Sequence, residues 1–476
     1  MSFYSSKDLY AWLCSFLNLE KGGAPGAAEH FKLDRMKLLA ELSGHPEAAA
    51  PVIHIAGTKG KGTVTAMIAG ILRAAGKKTG SYFSPHVSDW RERICCNGGF
   101  FSEDIYCRGG SELYGVYRDF CGAGKKSLGA PTFFELLTLL FFLCARSGRC
   151  DVMAVETGLG GRLDATNIVD PLVSVITVIE KEHTEYLGAT LAEIAAEKGG
   201  IVKPGRPLVL AKQPGELEGL FEKIAGDRGS PFLYLPRRIK ITAVTARRNG
   251  TDFTLCMKDP PGPPRNKPPP GGEGSFPKMR LFVPIPGSVH ASNAALAALA
   301  AVSAFPGVGE KALREGLGAA SLPARFEARN AGTGGPFIVD GAHTPQSAAL
   351  CAETFCKLYG AGGILLFGCA KGKDPDGMAE VLRPRFSEVI ITSPGTFRES
   401  DPQAVYDAFC RAAGTGAAGT EAAGGPGAFR PSVSLVPDTK SALEKTVRAA
   451  KEKKLPVLAC GSFYLAGEVM RYSARG

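Results

Sequence analysis

The segment Val52-Ile53-His54-Ile55-Ala56-Gly57-Thr58-Lys59-Gly60-Lys61-Gly62-Thr63, running on into Val64 to Ala74, constrains the fold more than any other part of the chain. It sets an apolar strand, a glycine-rich turn and an amphipathic helix in immediate succession. A strand that feeds straight into a helix is half of a crossover unit, so its sheet is mostly parallel and covered by helices. Gly57, Gly60 and Gly62 let backbone N–H groups approach phosphate oxygens, and the helix start adds unpaired donors and a positive dipole end. Lys61 adds a point charge for β/γ-phosphates and Thr63 a hydroxyl for a nucleotide or its magnesium, so Gly57 to Thr63, with Thr58 and Lys59, form the expected ATP loop. A glycine turn with no ligand is the bland alternative, and the strand, loop, lysine, threonine, helix order argues against it.

The same alternation recurs: Val152 to Glu156, Val173 to Ile179 then Leu191 to Ile201, and Leu208 to Ala211. A long alanine-rich helix, Ser292 to Ala304, meets the breakers Pro306 and Gly307, and a second αβ series opens at Phe337 to Asp340. Ile364 to Phe367, Glu388 to Thr392 and Val457 to Ala459 supply further buried strands. The expected class is therefore α/β: a larger N-terminal domain, residues 1–322, with a mostly parallel sheet, and a smaller Rossmann-like C-terminal domain, residues 323–476. Asp259 to Pro277 and Ala412 to Gly427 are low-complexity stretches that read as flexible insertions with no catalytic part.

Several function classes drop out. The longest apolar stretch, Leu136 to Ala145, is roughly half of a membrane span and reads as a buried helix. The N-terminus shows no export signal, so a cytoplasmic location is expected. Thirteen cysteines are odd in number and never spaced Cys-x-x-Cys, which suits buried thiols in a reducing compartment. The formal charge of +10 is spread along the chain without a basic block. That pattern excludes a nucleic-acid reader and fits either anionic small substrates or a merely basic surface.

The loop is not a standard Walker A, because Gly62 separates Lys61 from Thr63. Gly57-Thr58-Lys59-Gly60-Lys61-Gly62-Thr63 resembles the phosphate loop of the folylpolyglutamate and dihydrofolate synthases, within the Mur ligase superfamily. Further segments resemble that family in the same order. Phe83-Ser84-Pro85-His86 and Arg91-Glu92-Arg93 look like its Ser-Pro-His and Glu-Arg segments, which implies Ser84 as a magnesium ligand and His86 and Arg93 as substrate-binding residues. Thr132-Phe133-Phe134-Glu135 is similar to the start of its pterin pocket, with Phe134 the candidate, although a Phe pair before an apolar helix also reads as plain core.

Val155-Glu156-Thr157-Gly158-Leu159-Gly160-Gly161-Arg162-Leu163-Asp164-Ala165-Thr166-Asn167 is nearly identical to the family signature, with Thr157 where valine is usual. It implies Glu156, at the end of a parallel strand, as a magnesium ligand and Asp164 as a substrate contact. Glu182-His183-Thr184 resembles the family's Asp-His-Thr and implies His183 as a second metal ligand, Glu182 being one methylene longer than the usual aspartate. Ala196-Glu197-Lys198-Gly199-Gly200 matches the segment whose lysine is carbamylated in many Mur-type ligases, so Lys198 would act as an anionic metal ligand.

Near residue 290, Gly287-Ser288-Val289-His290-Ala291-Ser292-Asn293 resembles the adenine-side motif, with Val289 and His290 departing from it. Asn293 reads equally as a helix cap, and both readings stand. Arg325 matches the arginine that reaches the nucleotide phosphates from the domain junction. Asp340-Gly341-Ala342-His343-Thr344-Pro345 looks like Asp-Gly-Ala-His-Asn-Pro, which implies that Asp340 and His343 face ATP. Gly372-Lys373-Asp374 and Cys460 to Leu465 also resemble family segments.

The resemblance implies an ATP-dependent ligase that adds L-glutamate to tetrahydrofolate, and by the same chemistry to dihydropteroate, through an acyl phosphate with Mg²⁺. Lys61, Lys198 and His343 are the expected catalytic groups, and a monomer acting on small molecules alone is the expected form. A P-loop ATPase or kinase would share the glycine loop but has no need of the Leu-Asp-Ala-Thr-Asn and Asp-Gly-Ala-His strings. A Mur-type amino-acid ligase of the peptidoglycan or cyanophycin class is the nearest rival.

Overall fold

A computed structural model describes residues 2–21, 33–124, 126–258, 278–412 and 432–473. Residues 259–277, and 412–427 apart from Ala412, therefore lie outside the described residues. Eight strands form the first sheet: β1 (Val52–Ala56), β2 (Thr79–Tyr82), β3 (Ile94–Cys96), β4 (Gly99–Phe100), β5 (Val152–Glu156), β6 (Val173–Ile176), β7 (Leu208–Leu210) and β8 (Phe232–Tyr234). Their order is β4-β3-β2-β5-β1-β6-β7-β8. All neighbours are parallel except β2 with β3 and β3 with β4. β1 is central and buried along its whole length, as its apolar residues require of a strand covered on both faces, and the His54 between them meets Thr166 Oγ1 at 2.8 Å.

The helix Lys61–Ala74 returns across one face of this sheet and buries Val64, Met67, Ile68, Ile71 and Leu72 completely. Against it lie the alanine-rich helix Val289–Ala304, which begins three residues before Ser292, and the helix Glu310–Gly318. Small residues permit this close approach: a Cβ added at Gly70 would sit 2.5 Å from the Gly316 carbonyl oxygen. The opposite face carries the helix Phe133–Ser147, whose Leu136 to Ala145 are buried as expected.

A second sheet of three antiparallel strands, β9 (Ile239–Arg247), β10 (Gly250–Met257) and β11 (Met279–Val283), was not foreseen in the sequence. Leu255 pairs with Met279 across the ends of residues 259–277, so the two strands already hold those ends together. Replacing 259–277 by a short Gly/Ser linker is therefore expected to leave turnover within about twofold and Tm within a few degrees. A melting scan and a rate measurement check this, and a large fall in either would count against it.

The third sheet is built by β12 (Glu327–Arg329), β13 (Phe337–Val339), β14 (Gly363–Phe367), β15 (Phe386–Ile391), β16 (Ser432–Leu435) and β17 (Val457–Cys460). Its order is β12-β13-β17-β14-β15-β16, parallel except for β12 with β13. The class is α/β with a large, mostly parallel first sheet and a smaller parallel α/β unit after it. None of the thirteen cysteines is in a disulfide, but the expectation of burial holds only in part, since Cys14, Cys121 and Cys410 are exposed. Among the described residues no helix is long and apolar enough to cross a membrane.

Candidate active site

The carboxyl ends of β1, β5 and β6 face the carboxyl ends of β13 and β17 across a cavity of about 530 Å³. Parallel sheets place ligand-binding loops at this edge. Of the residues expected from sequence, Thr58, Lys59, Gly60, Lys61, Gly62, Thr63, Ser84, Phe134, Glu156, Asp164, His183, Asn293, Arg325, Asp340 and His343 line it. Gly57, Lys198, His86 and Arg93 stand behind its wall.

At the phosphate loop the chain turns at Gly57 (φ 142°) and Gly60 (φ 90°). Gly57 must be glycine, because a Cβ there would lie 1.9 Å from Thr177 Oγ1. The backbone N–H groups of Thr58 and Lys59 both donate to the Val178 carbonyl, at 2.9 and 3.2 Å, and the Thr58 hydroxyl donates to the Glu180 carbonyl. These two residues are spent on extending the sheet, which corrects the expectation that the whole of Gly57 to Thr63 cradles phosphate. The cradle is narrower: it is the start of the helix at Lys61, which has Gly60 as its N-cap and no side-chain cap. Asn293 lies against this turn, 3.0 Å from where a Gly60 Cβ would be. It sits one turn inside the helix Val289–Ala304, so the capping reading does not hold.

Beside the helix start, Glu156 Oε2 lies 3.2 Å from the place of a Gly62 Cβ and accepts the Ser84 backbone N–H at 3.3 Å. Burial pushes the Glu156 carboxyl up to about 7, against the charges of Lys61 and Arg325. His183, held in the left-handed region (φ 54°), is pushed down to about 4 by burial and is therefore the neutral imidazole that a metal ligand must be. Lys198 is buried, and its Nζ donates to the Gly57 carbonyl at 2.9 Å. Burial and the nearby Lys61 charge bring its pKa down to about 7.

The far wall belongs to the third sheet. Arg325 is flanked by two non-glycine residues in the left-handed region, Ala324 (φ 54°) and Phe326 (φ 48°). That strain is held by hydrogen bonds from Ala324 N to Glu327 and from Phe326 N to Asp340 Oδ2, and it aims the guanidinium over the Phe463 ring, 4.5 Å from its centroid. Asp340 also accepts the Ala342 N–H, so its carboxylate shapes the Arg325 loop as well as lining the cleft.

Glu182 joins the two walls. Its Oε2 pairs with Lys59 Nζ at 2.9 Å, and its Oε1 pairs with His343 Nε2 and with Lys373 Nζ, each at 3.0 Å. His343 Nδ1 lies 2.8 Å from the Gly341 carbonyl. Nδ1 thus faces an acceptor, whereas Nε2 faces both the Glu182 carboxylate and, at 3.4 Å, the Lys59 ammonium, a donor. Burial and the charge of Lys59 lower the His343 pKa, against the pull of the Glu182 carboxylate on its proton. Burial would raise the Glu182 pKa, but the His343 hydrogen bond and the Lys59 and Lys373 charges hold it well below the carboxylate range.

At the other end of the cleft, Phe134 is half-buried and leaves no room for a side chain at Gly158, while Phe133 is core. Asp164 Oδ2 accepts Gly158 N and Leu159 N, and Oδ1 accepts Thr166 N and its hydroxyl. Four bonds fill a carboxylate. Asp164 therefore folds the Gly158–Thr166 loop, in place of the direct substrate contact expected of it. Arg93 is likewise committed: its guanidinium forks onto Glu20 at 2.6 and 2.7 Å, and its Nε donates to His86 Nδ1 at 2.8 Å. His86 and Arg93 set Glu20, which does line the cavity, and so act behind the wall where sequence placed them at the substrate. Glu20, Glu180, Lys373 and Arg398 line the cavity without having been singled out from sequence as site residues. Of these, only Lys373 stood in a segment with any sequence signal.

Residues 324–463 match the family described as Mur ligase, glutamate ligase domain. The chain is 32% identical over 413 residues to the dihydrofolate synthase/folylpolyglutamate synthase of Bacillus subtilis, covering 85% of this chain and 89% of that protein. Its structure is similar to Mycobacterium tuberculosis folylpolyglutamate synthase complexed with ADP, with a TM-score of 0.81, 25% identity and coverage of 99% of this chain and 98% of that one. It is also similar to Escherichia coli FolC in complex with DHPP and ADP, with a TM-score of 0.77, 26% identity and 98% coverage of both chains.

Proposed function

Because this chain belongs to the dihydrofolate synthase/folylpolyglutamate synthase family of Mur ligases, we propose that its cleft joins L-glutamate to the terminal carboxyl of a reduced folate by way of an acyl phosphate. The overall reaction is ATP-dependent glutamate ligation. The observation that carries the residue assignment is the convergence of Lys61 and Glu156 from one wall with Arg325, His343 and Lys373 from the other on a single cavity.

A carboxylate resists attack by an amine because its oxygen is a poor leaving group. Transfer of the ATP γ-phosphoryl group to that oxygen makes an acyl phosphate, the glutamate amine adds to its carbonyl carbon, and phosphate departs as the amide forms. Catalysis is then chiefly positioning and charge neutralisation. Lys61 and the helix start hold the β/γ-phosphates, and Arg325 approaches the same oxygens from the domain junction. Asn293 orders the turn at Gly60. Lys373 offers a cationic donor and His343 a ring nitrogen to a carboxylate of the incoming glutamate, and Phe134 gives the pterin an apolar face. The division at residues 322/323 separates the first two sheets from the third, and Arg325 lies just beyond it.

Magnesium fits the site. Glu156 is a buried carboxyl with one long hydrogen bond and a raised pKa, a hard donor short of positive charge. Among the described residues no three His, Cys, Asp or Glu side chains converge into a ready-made metal cluster. Ser84, Glu156, His183 and carbamylated Lys198 would hold Mg²⁺ together with nucleotide oxygens, as suits an ion that binds through few protein ligands. The metal would neutralise charge on the transferring phosphoryl group. Cysteines without disulfides fit a reducing cytoplasm, and the assembly of the cleft from one chain fits a monomer.

The deciding experiment offers dihydropteroate, tetrahydrofolate, its formyl and methylene forms, and a peptidoglycan precursor, each with ATP and radiolabelled glutamate. Label is expected to enter a reduced folate, with phosphate release that depends on glutamate. Incorporation into the peptidoglycan precursor alone, or phosphate release indifferent to glutamate, would overturn the assignment.

A further inference from the structure

Glu182 binds two ammonium groups and an imidazole drawn from both walls of the cleft: Lys59 of the phosphate loop, and Lys373 and His343 of the third sheet. One carboxylate carries one negative charge. Lys59 and Lys373 bring one positive charge each, and the His343 imidazole, whose pKa burial and Lys59 lower, adds a polar contact to the same carboxylate. The group therefore keeps an excess of positive charge inside a partly desolvated cleft, where charge-assisted hydrogen bonds are strong. Such a cluster is an anion site already occupied by an anion of the protein itself. The occupant is a CH₂CH₂COO⁻ group, which is chemically the side chain of the amino acid that the reaction consumes.

We propose that Glu182 is an intramolecular stand-in for a carboxylate of the incoming glutamate, keeping Lys373 and His343 paired until substrate displaces it. The proposal rests on the ligase reading above and adds to it a residue that sets glutamate affinity. A ligand whose site is free only part of the time binds with an apparent affinity reduced by that fraction. Glu182 therefore raises the glutamate KM, and in exchange prevents Lys59 and Lys373 from repelling one another across an empty cleft. Its reach matters as much as its charge. Oε2 serves Lys59 while Oε1 serves the second wall, and a shorter aspartate keeps the charge but lengthens those contacts.

The test compares wild type with Glu182→Gln and Glu182→Asp, after a melting scan has shown each folded. Glu182→Gln removes the competing charge at nearly constant shape. Its glutamate KM is expected to fall about tenfold, the scale of losing one charged hydrogen-bonding competitor, with the ATP KM within about twofold of wild type. Glu182→Asp should fall in the same direction by less. Equilibrium binding of glutamate in the presence of a non-hydrolysable ATP analogue and folate supplies the answer should either variant turn over too slowly to assay. A purely structural role would raise the KM or leave it alone, so an unchanged or higher glutamate KM or Kd in both folded variants overturns the proposal. Because wild-type glutamate ligation is measured alongside, its absence would instead remove the ligase reading.

Discussion

Lys61→Ala is expected to reduce ATP-dependent ligation on the order of a thousandfold or more, the scale on which a cation at a transferring phosphoryl group acts, while leaving the fold intact. Lys61 opens the helix Lys61–Ala74 and lines the cavity, and its charge is felt by Glu156, His183 and Lys198. Alanine is at least as good a helix former, so the secondary structure has no reason to suffer. The backbone donors of the helix start remain, and nucleotide binding should weaken far less than turnover. Single-turnover rates with saturating ATP, alongside circular dichroism, separate the two effects. Turnover near that of wild type would remove Lys61 from the phosphate site and leave the assignment of the loop without its charge.

Lys198→Ala is expected to lose most of the activity, for a different reason. A lysine ammonium 4 Å from another unit positive charge costs about 4 kcal/mol at an effective dielectric of 20, and Lys198 is buried with Lys61 near it. Reaction of the neutral amine with CO₂ gives a carbamate and a proton, exchanging a buried cation for an anion. With its pKa brought to about 7, roughly half of Lys198 is neutral at pH 7, against well under 1% of an ordinary lysine. The carbamate nitrogen keeps one N–H, enough to preserve the bond to the Gly57 carbonyl. Native mass spectrometry should show a 44 Da adduct (roughly, one CO₂) that is lost on acidification, and formate, acetate or added bicarbonate should be tried for partial rescue of the variant. Full activity in Lys198→Ala, or an unmodified lysine in active, metal-loaded enzyme, would defeat the carbamate while leaving ATP-dependent ligation untouched.

Local pattern was enough for a large part of the molecule. The alternation of apolar runs with helical periods determined an α/β chain whose first sheet is mostly parallel, because a buried parallel strand is predominantly apolar, as Val52 to Ala56 is apart from His54 and Val152 to Glu156 is up to its terminal carboxylate. The glycines around Lys61 and the residues that end β5 and β6 determined which edge of that sheet carries the chemistry. The antiparallel sheet β9 to β11 went unseen, since β9 is exposed or half-buried at every residue after Ile239 and a low-complexity stretch separates β10 from β11.

Only the tertiary structure decided which of the candidate groups are free to act. Asp164 and Arg93 are polar residues in recognisable strings, yet one spends its carboxylate on its own loop and the other spends its guanidinium on Glu20, a residue 73 positions away. Thr58 and Lys59 lose their backbone donors to Val178 through a register that no local pattern records. The pairing of Glu182 with His343 and Lys373 spans 161 and 191 residues. Sequence determined the residue types and the strand ends from which they project, because those depend on near neighbours. The partner of each charge depends on how two sheets meet across a cleft, and that is set by packing between segments with no proximity in the chain.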